Sequence, residues 1–166
     1  MQWVNIIAQG ILLGGLYALY GTGLSLIFGV MRLVNLTHGD LIVLAAYLAL
    51  IAGRFLGLSP WLSLLLVVPL LFLLGLLIQR GLLNRALGRG VLPPLIITFG
   101  LSVIVQNVLQ LAFTADTQGL DAGPIEVASI TVVPGVAMGV LPVITFVAAV
   151  VVLTGLQWFL TRTTLG

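Results

Sequence analysis

Residues 55–79, FLGLSPWLSLLLVVPLLFLLGLLIQ, form a run of 25 residues without a single charged side chain. A helix that crosses the hydrocarbon core of a bilayer needs about 20 consecutive, predominantly apolar residues. The run satisfies this requirement, and the next residue, Arg80, is charged. The stretch therefore predicts a membrane-spanning helix, which we place at 60–79.

Charged residues divide the rest of the chain into four more apolar blocks, at 1–31, 41–53, 90–115 and 127–161. The block at 41–53 has only 13 residues, a length typical of re-entrant or buried segments. It crosses the membrane if the Arg54 side chain reaches back to the interface, and we favour crossing because the topology then closes. The sequence thus predicts an all-α fold, a polytopic transmembrane helical bundle in a single domain (1–166). It has an external loop of about 25 residues and spans at 4–30, 41–58, 60–79, 92–113 and 140–160.

The composition excludes several classes of protein. Hydrophobic residues make up 61% of the chain and charged residues 6%, against about 25% charged in an average soluble domain. Such a chain cannot cover a soluble enzyme domain with polar surface, and its net charge of +2 is too small for a nucleic-acid interface. Lysine and cysteine are both absent. The chain therefore lacks the lysine of an ATP-binding P-loop, and we expect no cofactor or metal of its own.

Basic residues predict the orientation of the helices. Arg80, Arg85 and Arg89 lie close together, in what the sequence predicts as one short loop. Loops rich in arginine stay in the cytoplasm. The opposite loop, 114–139, carries acidic residues and no basic one. The N-terminus is then outside and the C-terminus cytoplasmic, with Arg54 as the one exception to the rule.

The hexapeptide 35–40, NLTHGD, interrupts two apolar blocks with polar residues and glycine. It is either an irregular element that lines a pathway inside the membrane or an ordinary turn at the membrane face, in which Asn35 and Asp40 cap helix ends. Its histidine, His38, is the only one in the chain. One histidine, no cysteine and four dispersed acidic residues argue against a metal site, and the HExxH motif of a metalloprotease is absent. A serine hydrolase with His38 as its base is a weak hypothesis.

Gln106 and Asn107 lie deep in the fourth predicted span, one turn after Ser102. Amide side chains in hydrocarbon should face the interior of the bundle. They either line a pathway or hydrogen-bond to a neighbouring helix. No acidic or basic residue falls in the middle of any predicted span, which favours a pathway whose energy comes from another subunit over an ion-coupled carrier.

Three stretches resemble a known family and occur in the same order along the chain. The first, at 15–40, contains GLYAL, GLSLIFG and VNLTHGD. The second is PLIITFGLSVIVQN at 94–107, and the third is TRTTLG at 161–166. They resemble bacterial branched-chain amino acid ABC transporter permeases of the LivH type. In that family the chain continues beyond the position equivalent to Gly166, so the resemblance implies that this chain is the N-terminal part of a permease.

The resemblance also implies a function. It predicts an importer in the bacterial plasma membrane, with a second permease subunit, two ATP-binding-cassette ATPase subunits that bind the ATP, and an external substrate-binding protein. Permeases for urea or short amides resemble the same stretches, and a membrane scaffold without transport is the other alternative. No catalytic residue is expected. The residues that match the family's motifs, as pathway or packing candidates, are Asn35, His38, Gly39, Gly100, Gln106 and Asn107.

Overall fold

The computed structural model describes residues 2–114, 118–119, 123, 125, 128–133 and 136–162. Within these residues five helices are long and apolar enough to cross a membrane, at Trp3–Met31, His38–Leu56, Pro60–Ala86, Leu92–Phe113 and Val140–Arg162. The prediction of an all-α membrane protein with five spanning helices is therefore confirmed. The second helix has 19 residues and is among those long and apolar enough to cross a membrane.

The described elements follow one another as α1 (Gln2–Met31), α2 (His38–Leu56), α3 (Pro60–Ile78), a π-helical turn (Gln79–Leu83), α4 (Asn84–Ala86), α5 (Leu92–Phe113), β1 (Ser129–Val133), β2 (Val136–Gly139) and α6 (Val140–Arg162). They form two compact units, Met1–Leu26 with Ala122–Gly166, and Ile27–Asp121. The single domain over 1–166 stays a prediction.

In the unit Ile27–Asp121, α2 and α3 are joined by a tight connection. Gly57 adopts a left-handed conformation with φ of +64°, and its amide donates to the carbonyl of Gly53 at 3.1 Å. A residue with a side chain is strained in this conformation, so glycine ends α2 here. Ser59 then caps α3, because its hydroxyl accepts from the amide of Leu62 at 3.4 Å, and Pro60 occupies the first turn, where no amide donor is needed.

The third span is longer than the sequence predicted. Helical structure continues past residue 79 through the π-helical turn and α4 to Ala86. Arg80 and Arg85 therefore lie on a helical extension, which corrects the prediction that all three arginines share a loop. The helical extension ends at Ala86. Beyond it, Gly88 and Gly90 take φ values of +83° and +100°, a region that glycine enters at no steric cost.

Helices α2 and α5 lie side by side and run in the same direction. Thr37, just before α2, contacts Thr98 in the second turn of α5. Farther along both helices, the rings of Tyr47 and Phe113 lie with their centroids 4.3 Å apart. Later residues of α2 therefore contact later residues of α5, so the two helices are parallel, and α2 starts part-way along α5.

In the other unit, the predicted external loop contains an antiparallel hairpin that sequence analysis did not predict. Strand β1 pairs with β2 in a register that sets Ser129 opposite Gly139, and α6 follows β2 directly. In the same unit α1 packs on α6 so closely at Gly15 that a Cβ atom there would lie 2.5 Å from Cδ2 of Phe146. Glycine lets two membrane helices approach at this point.

Candidate functional site

The turn between α1 and α2, residues 32–37, is shaped by its own polar groups. The side-chain oxygen of Asn35 accepts from the amide of Thr37 at 3.0 Å, and the carbonyl of Asn35 accepts from the amide of His38 at 3.3 Å. Asparagine favours such turns because its side chain satisfies a backbone donor two residues later. These two bonds lead the chain directly into α2, which begins at His38, three residues before the predicted start at 41.

A pair of buried threonines holds this turn on α5. Thr37 is 0% exposed and Thr98 is 1% exposed. The hydroxyl of Thr37 donates to the carbonyl of Thr98 at 2.6 Å. The hydroxyl of Thr98 lies 3.1 Å from the carbonyl of Leu95 in its own helix and 3.4 Å from the carbonyl of Val34 in the turn. The threonine pair therefore ties the turn to α5 with neutral groups.

One turn farther along α5, a carboxylate joins the contact. Asp40, in the first turn of α2, accepts from the hydroxyl of Ser102 and from the amide nitrogen of Gln106 at 2.9 Å. The same Gln106 nitrogen lies 3.2 Å from the Ser102 hydroxyl. We call these three residues the Asp40 cluster. Asp40 thus binds α5. The alternative in which Asp40 caps a helix end is wrong, because Thr37 is the residue at the N-cap of α2.

The Asp40 cluster lies half-way along α5. This helix has 22 residues and rises about 33 Å at about 1.5 Å per residue, roughly the thickness of the hydrocarbon core. Ser102 and Gln106 lie about 15 and 21 Å from its first residue by the same measure. Asp40 lies in the first turn of α2 and not in the middle of that span, but it contacts the middle of α5 because α2 starts part-way along α5.

The described contacts offset the cost of a charge at this depth. An aspartate at the centre of a membrane helix costs about 2.5–3.5 kcal/mol on insertion scales. A hydrogen bond to a charged group contributes about 1.5–3 kcal/mol, and a carboxylate in the first turn of a helix gains about 0.3–1 kcal/mol from the helix dipole. The two donors and the N-terminus of α2 together offset this cost.

The match to a family model identifies the class of protein in which this arrangement of polar groups lies. The model of the family described as "Branched-chain amino acid transport system / permease component" matches residues 6–166. The chain belongs to this family. It is also similar to the "High-affinity branched-chain amino acid transport system permease protein BraD" of Pseudomonas aeruginosa, with 25% identity over 188 aligned positions that cover 99% of this chain. The chain spans 57% of the length of that relative, and no solved structure matches it.

Membership of a permease family together with five helices of spanning length makes the chain a multi-pass membrane protein. The family is one of transport permeases and not of enzymes. In such a protein the candidate functional site is a place where polar groups meet among the membrane helices. The turn at 32–37 and the neighbouring carboxylate of Asp40 form such a place. The turn at 35–40 lies beside α5 and not at its end, and the interpretation of 35–40 as an irregular element that lines a pathway stays a prediction.

The structure brings together some of the candidate residues of this permease component and leaves others apart. Asn35 shapes the turn and Gln106 joins Asp40. Asn107 instead donates to the carbonyl of Val103 in its own helix at 2.7 Å. Gly39 and Gly100 have open space where a Cβ atom would lie, and His38 is half-buried in the first turn of α2.

Sequence reasoning missed the central residue of the site, Asp40, together with Thr37 and Thr98. Asp40 directly precedes the short span predicted at 41–58, a position at which a carboxylate needs no explanation. One signal could have found it, since Ser102 and Gln106 form a polar stripe at helical spacing in an apolar helix. Such a stripe needs a polar partner on a neighbouring helix.

The other unit of this permease component holds a cleft of different character, with a volume of about 550 Å³. Its lining is apolar except for Gln9 and Thr145 and carries no charge. The lining residues are Gln9, Gly10, Leu12, Leu13, Leu16, Gly139, Leu141, Pro142 and Thr145. A charged group therefore finds a counter-charge at the Asp40 cluster and not in this cleft.

Proposed function

We propose that this chain is a permease subunit of an ATP-binding-cassette importer for branched-chain amino acids and forms part of the translocation pathway. The observation that carries the proposal is the family match over residues 6–166. The name of the similar Pseudomonas aeruginosa protein supports the same substrate class. The polar turn and the Asp40 cluster half-way along α5 support a pathway, because polar groups at membrane depth need protein or water beside them.

The proposed partners follow from what the chain lacks and from its family. The sequence has no lysine and hence no P-loop of its own. The proposed importer therefore contains two ATP-binding-cassette ATPase subunits that bind the ATP, a second permease subunit and an external substrate-binding protein. The chain itself binds no cofactor and catalyses no reaction in this proposal; Asn35, Gln106 and the other motif residues support the pathway or the packing of its helices.

The proposed location is the bacterial plasma membrane, with the N-terminus outside and the C-terminus in the cytoplasm. This orientation places the arginines that follow α3 on the cytoplasmic side. The exception, Arg54, lies at the opposite end of the helices, where its guanidinium donates to the side chain of Gln118 at 2.7 Å. Because these 166 residues contain no cysteine, single cysteines can report the orientation directly.

An impermeant maleimide tests it on Arg85→Cys and Gly119→Cys variants. In intact spheroplasts we expect labelling at position 119 and none at position 85 until the membrane is opened. Labelling of position 85 alone in intact spheroplasts would reverse the orientation. The cysteine-free parent chain is the matched control.

Uptake of radiolabelled leucine tests the function. Cells that lack their own branched-chain amino acid importers receive this chain together with its native ATPase, second permease and binding-protein partners. We expect leucine uptake that disappears when either this chain or the ATPase is omitted. Uptake of urea in place of leucine would move the chain to the urea and short-amide importers, and uptake of neither would leave a non-transporting membrane protein.

A further inference from the structure

The Asp40 cluster carries more charge than helix packing requires. The threonine pair Thr37–Thr98 already ties the same turn to α5 with neutral hydrogen bonds. An asparagine at position 40 could also accept from Gln106 and would avoid placing a charge in hydrocarbon. The carboxylate of Asp40 therefore calls for a reason beyond the attachment of α2 to α5.

The two described donors to this carboxylate carry no charge, so neither supplies a counter-charge. Ser102 and Gln106 are both neutral and each contacts a different oxygen of Asp40. Each carboxylate oxygen has further acceptor capacity after one hydrogen bond. The Asp40 side chain is half-buried and Gln106 is exposed, whereas Ser102 is buried. The cluster is thus fixed on its α5 side and open to a ligand on the other.

The chemistry that fits this opening is a small cation with several N–H donors. A branched-chain amino acid carries an ammonium group with three N–H donors, and a charge-assisted bond from such a group to a carboxylate is about twice as strong as a neutral one. Urea has no such charge. A carboxylate at this depth therefore favours an amino acid over urea as the transported molecule.

We propose that the carboxylate of Asp40, held by Ser102 and Gln106, binds the α-ammonium group of the amino acid as it passes the point half-way along α5. This inference rests on the proposed function and assigns one contact within it. Ser102 and Gln106 are positioning residues, since each acts through the carboxylate. Leucine and its α-hydroxy analogue, which has a hydroxyl in place of the ammonium group, are the probes that separate charge recognition from recognition of the side chain.

The experiment uses the importer assembled in nanodiscs without the external binding protein, so that only sites in the membrane subunits are measured. Saturation-transfer NMR gives the affinity for each probe in wild-type, Asp40→Asn and Asp40→Glu proteins. We expect Asp40→Asn to lose about tenfold in affinity for leucine, equivalent to about 1.4 kcal/mol, and to bind the hydroxy analogue as the wild type does. Asp40→Glu keeps the preference for leucine, because it keeps the charge.

Equal leucine affinity in the wild type and in Asp40→Asn would overturn the inference, and so would a parallel loss for both probes. If Asp40→Asn does not assemble, the wild-type protein still decides: leucine should slow carbodiimide modification of Asp40, and the hydroxy analogue should not. Absence of this protection would also overturn it. Failure of the proposed function is distinguishable, because it would abolish leucine uptake by the wild-type importer itself.

Discussion

Replacing Thr37 by valine should weaken the attachment of the α1–α2 turn to α5. Valine has nearly the shape of threonine but no hydroxyl, so the variant removes the 2.6 Å bond to the carbonyl of Thr98 and little else. The site is 0% exposed, so neither water nor lipid can replace the lost donor. The perturbation is therefore confined to one interhelical hydrogen bond.

The expected loss follows from what such bonds contribute. A hydrogen bond in a folded protein is worth about 0.5–1.5 kcal/mol, and bonds between membrane helices in one measured protein average about 0.6 kcal/mol with a maximum of about 1.7 kcal/mol. The short bond of Thr37 should lie in the upper half of that range, and we expect Thr37→Val to lower the free energy of unfolding by about 1 kcal/mol.

Thr98→Val is the matched comparison. The hydroxyl of Thr98 has its nearer acceptor at 3.1 Å in its own helix, and its contact with the turn is 3.4 Å long. The loss should therefore stay below about 0.5 kcal/mol. Thr154→Val serves as the control, because this exposed hydroxyl bonds only to carbonyls of α6, at 2.7 and 3.2 Å, and should change the free energy by close to zero.

The assay is reversible unfolding of the purified protein in mixed micelles, titrated with dodecyl sulfate and followed by tryptophan fluorescence. The order of destabilisation should be Thr37→Val, then Thr98→Val, then Thr154→Val. A Thr37→Val protein as stable as the wild type, or a Thr98→Val protein that is less stable than Thr37→Val, would refute the account of the turn.

Five further substitutions, two of them controls, test other parts of the structure by the same unfolding titration. Gln106→Leu removes a donor to a carboxylate and should lower the free energy of unfolding by about 1–2 kcal/mol. Asn107→Leu removes only a bond within its own helix and should lower it by less than about 0.5 kcal/mol. Equal losses would contradict the hydrogen bond between Gln106 and Asp40. Gly57→Ala places a Cβ atom on a left-handed residue and should cost about 1 kcal/mol, and an unchanged stability would argue against the observed end of α2. Gly15→Ala should destabilise the protein, because its Cβ atom would lie 2.5 Å from Cδ2 of Phe146 in α6 and must displace that ring. Gly14→Ala places its Cβ atom in open space and should not destabilise the protein. A reversed order would contradict the packing of α1 on α6.

Sequence patterns predicted the helices because the hydrocarbon core imposes a length and a polarity that any spanning helix must meet. The observed α5, Leu92–Phe113, has the same bounds as the predicted span. The errors fall at helix ends. α2 begins at His38 and not at 41, since its start is set by the Asn35 turn and not by the last charged residue.

Relations between helices could not be read from the sequence. Asp40 lies near the end of its own helix, and its depth is set by the stagger between α2 and α5. That stagger comes from the packing of Thr37 on Thr98, a contact between residues 61 positions apart. Hydropathy describes one helix at a time, so it located Gln106 and Ser102 but could not find their partner. The hairpin Ser129–Gly139 was missed for a related reason, because its pairing forms between two short segments inside a predicted loop.

Leucine accumulation in proteoliposomes tests the central claim most directly. The vesicles contain this chain with its second permease and ATPase partners, carry ATP on the side of the ATPase, and receive the binding protein loaded with radiolabelled leucine on the other side. We expect leucine to accumulate inside the vesicles only when ATP is hydrolysed and this chain is present, and we expect no accumulation of urea under the same conditions. Vesicles with an active ATPase and a loaded binding protein that accumulate urea, or neither compound, would contradict it.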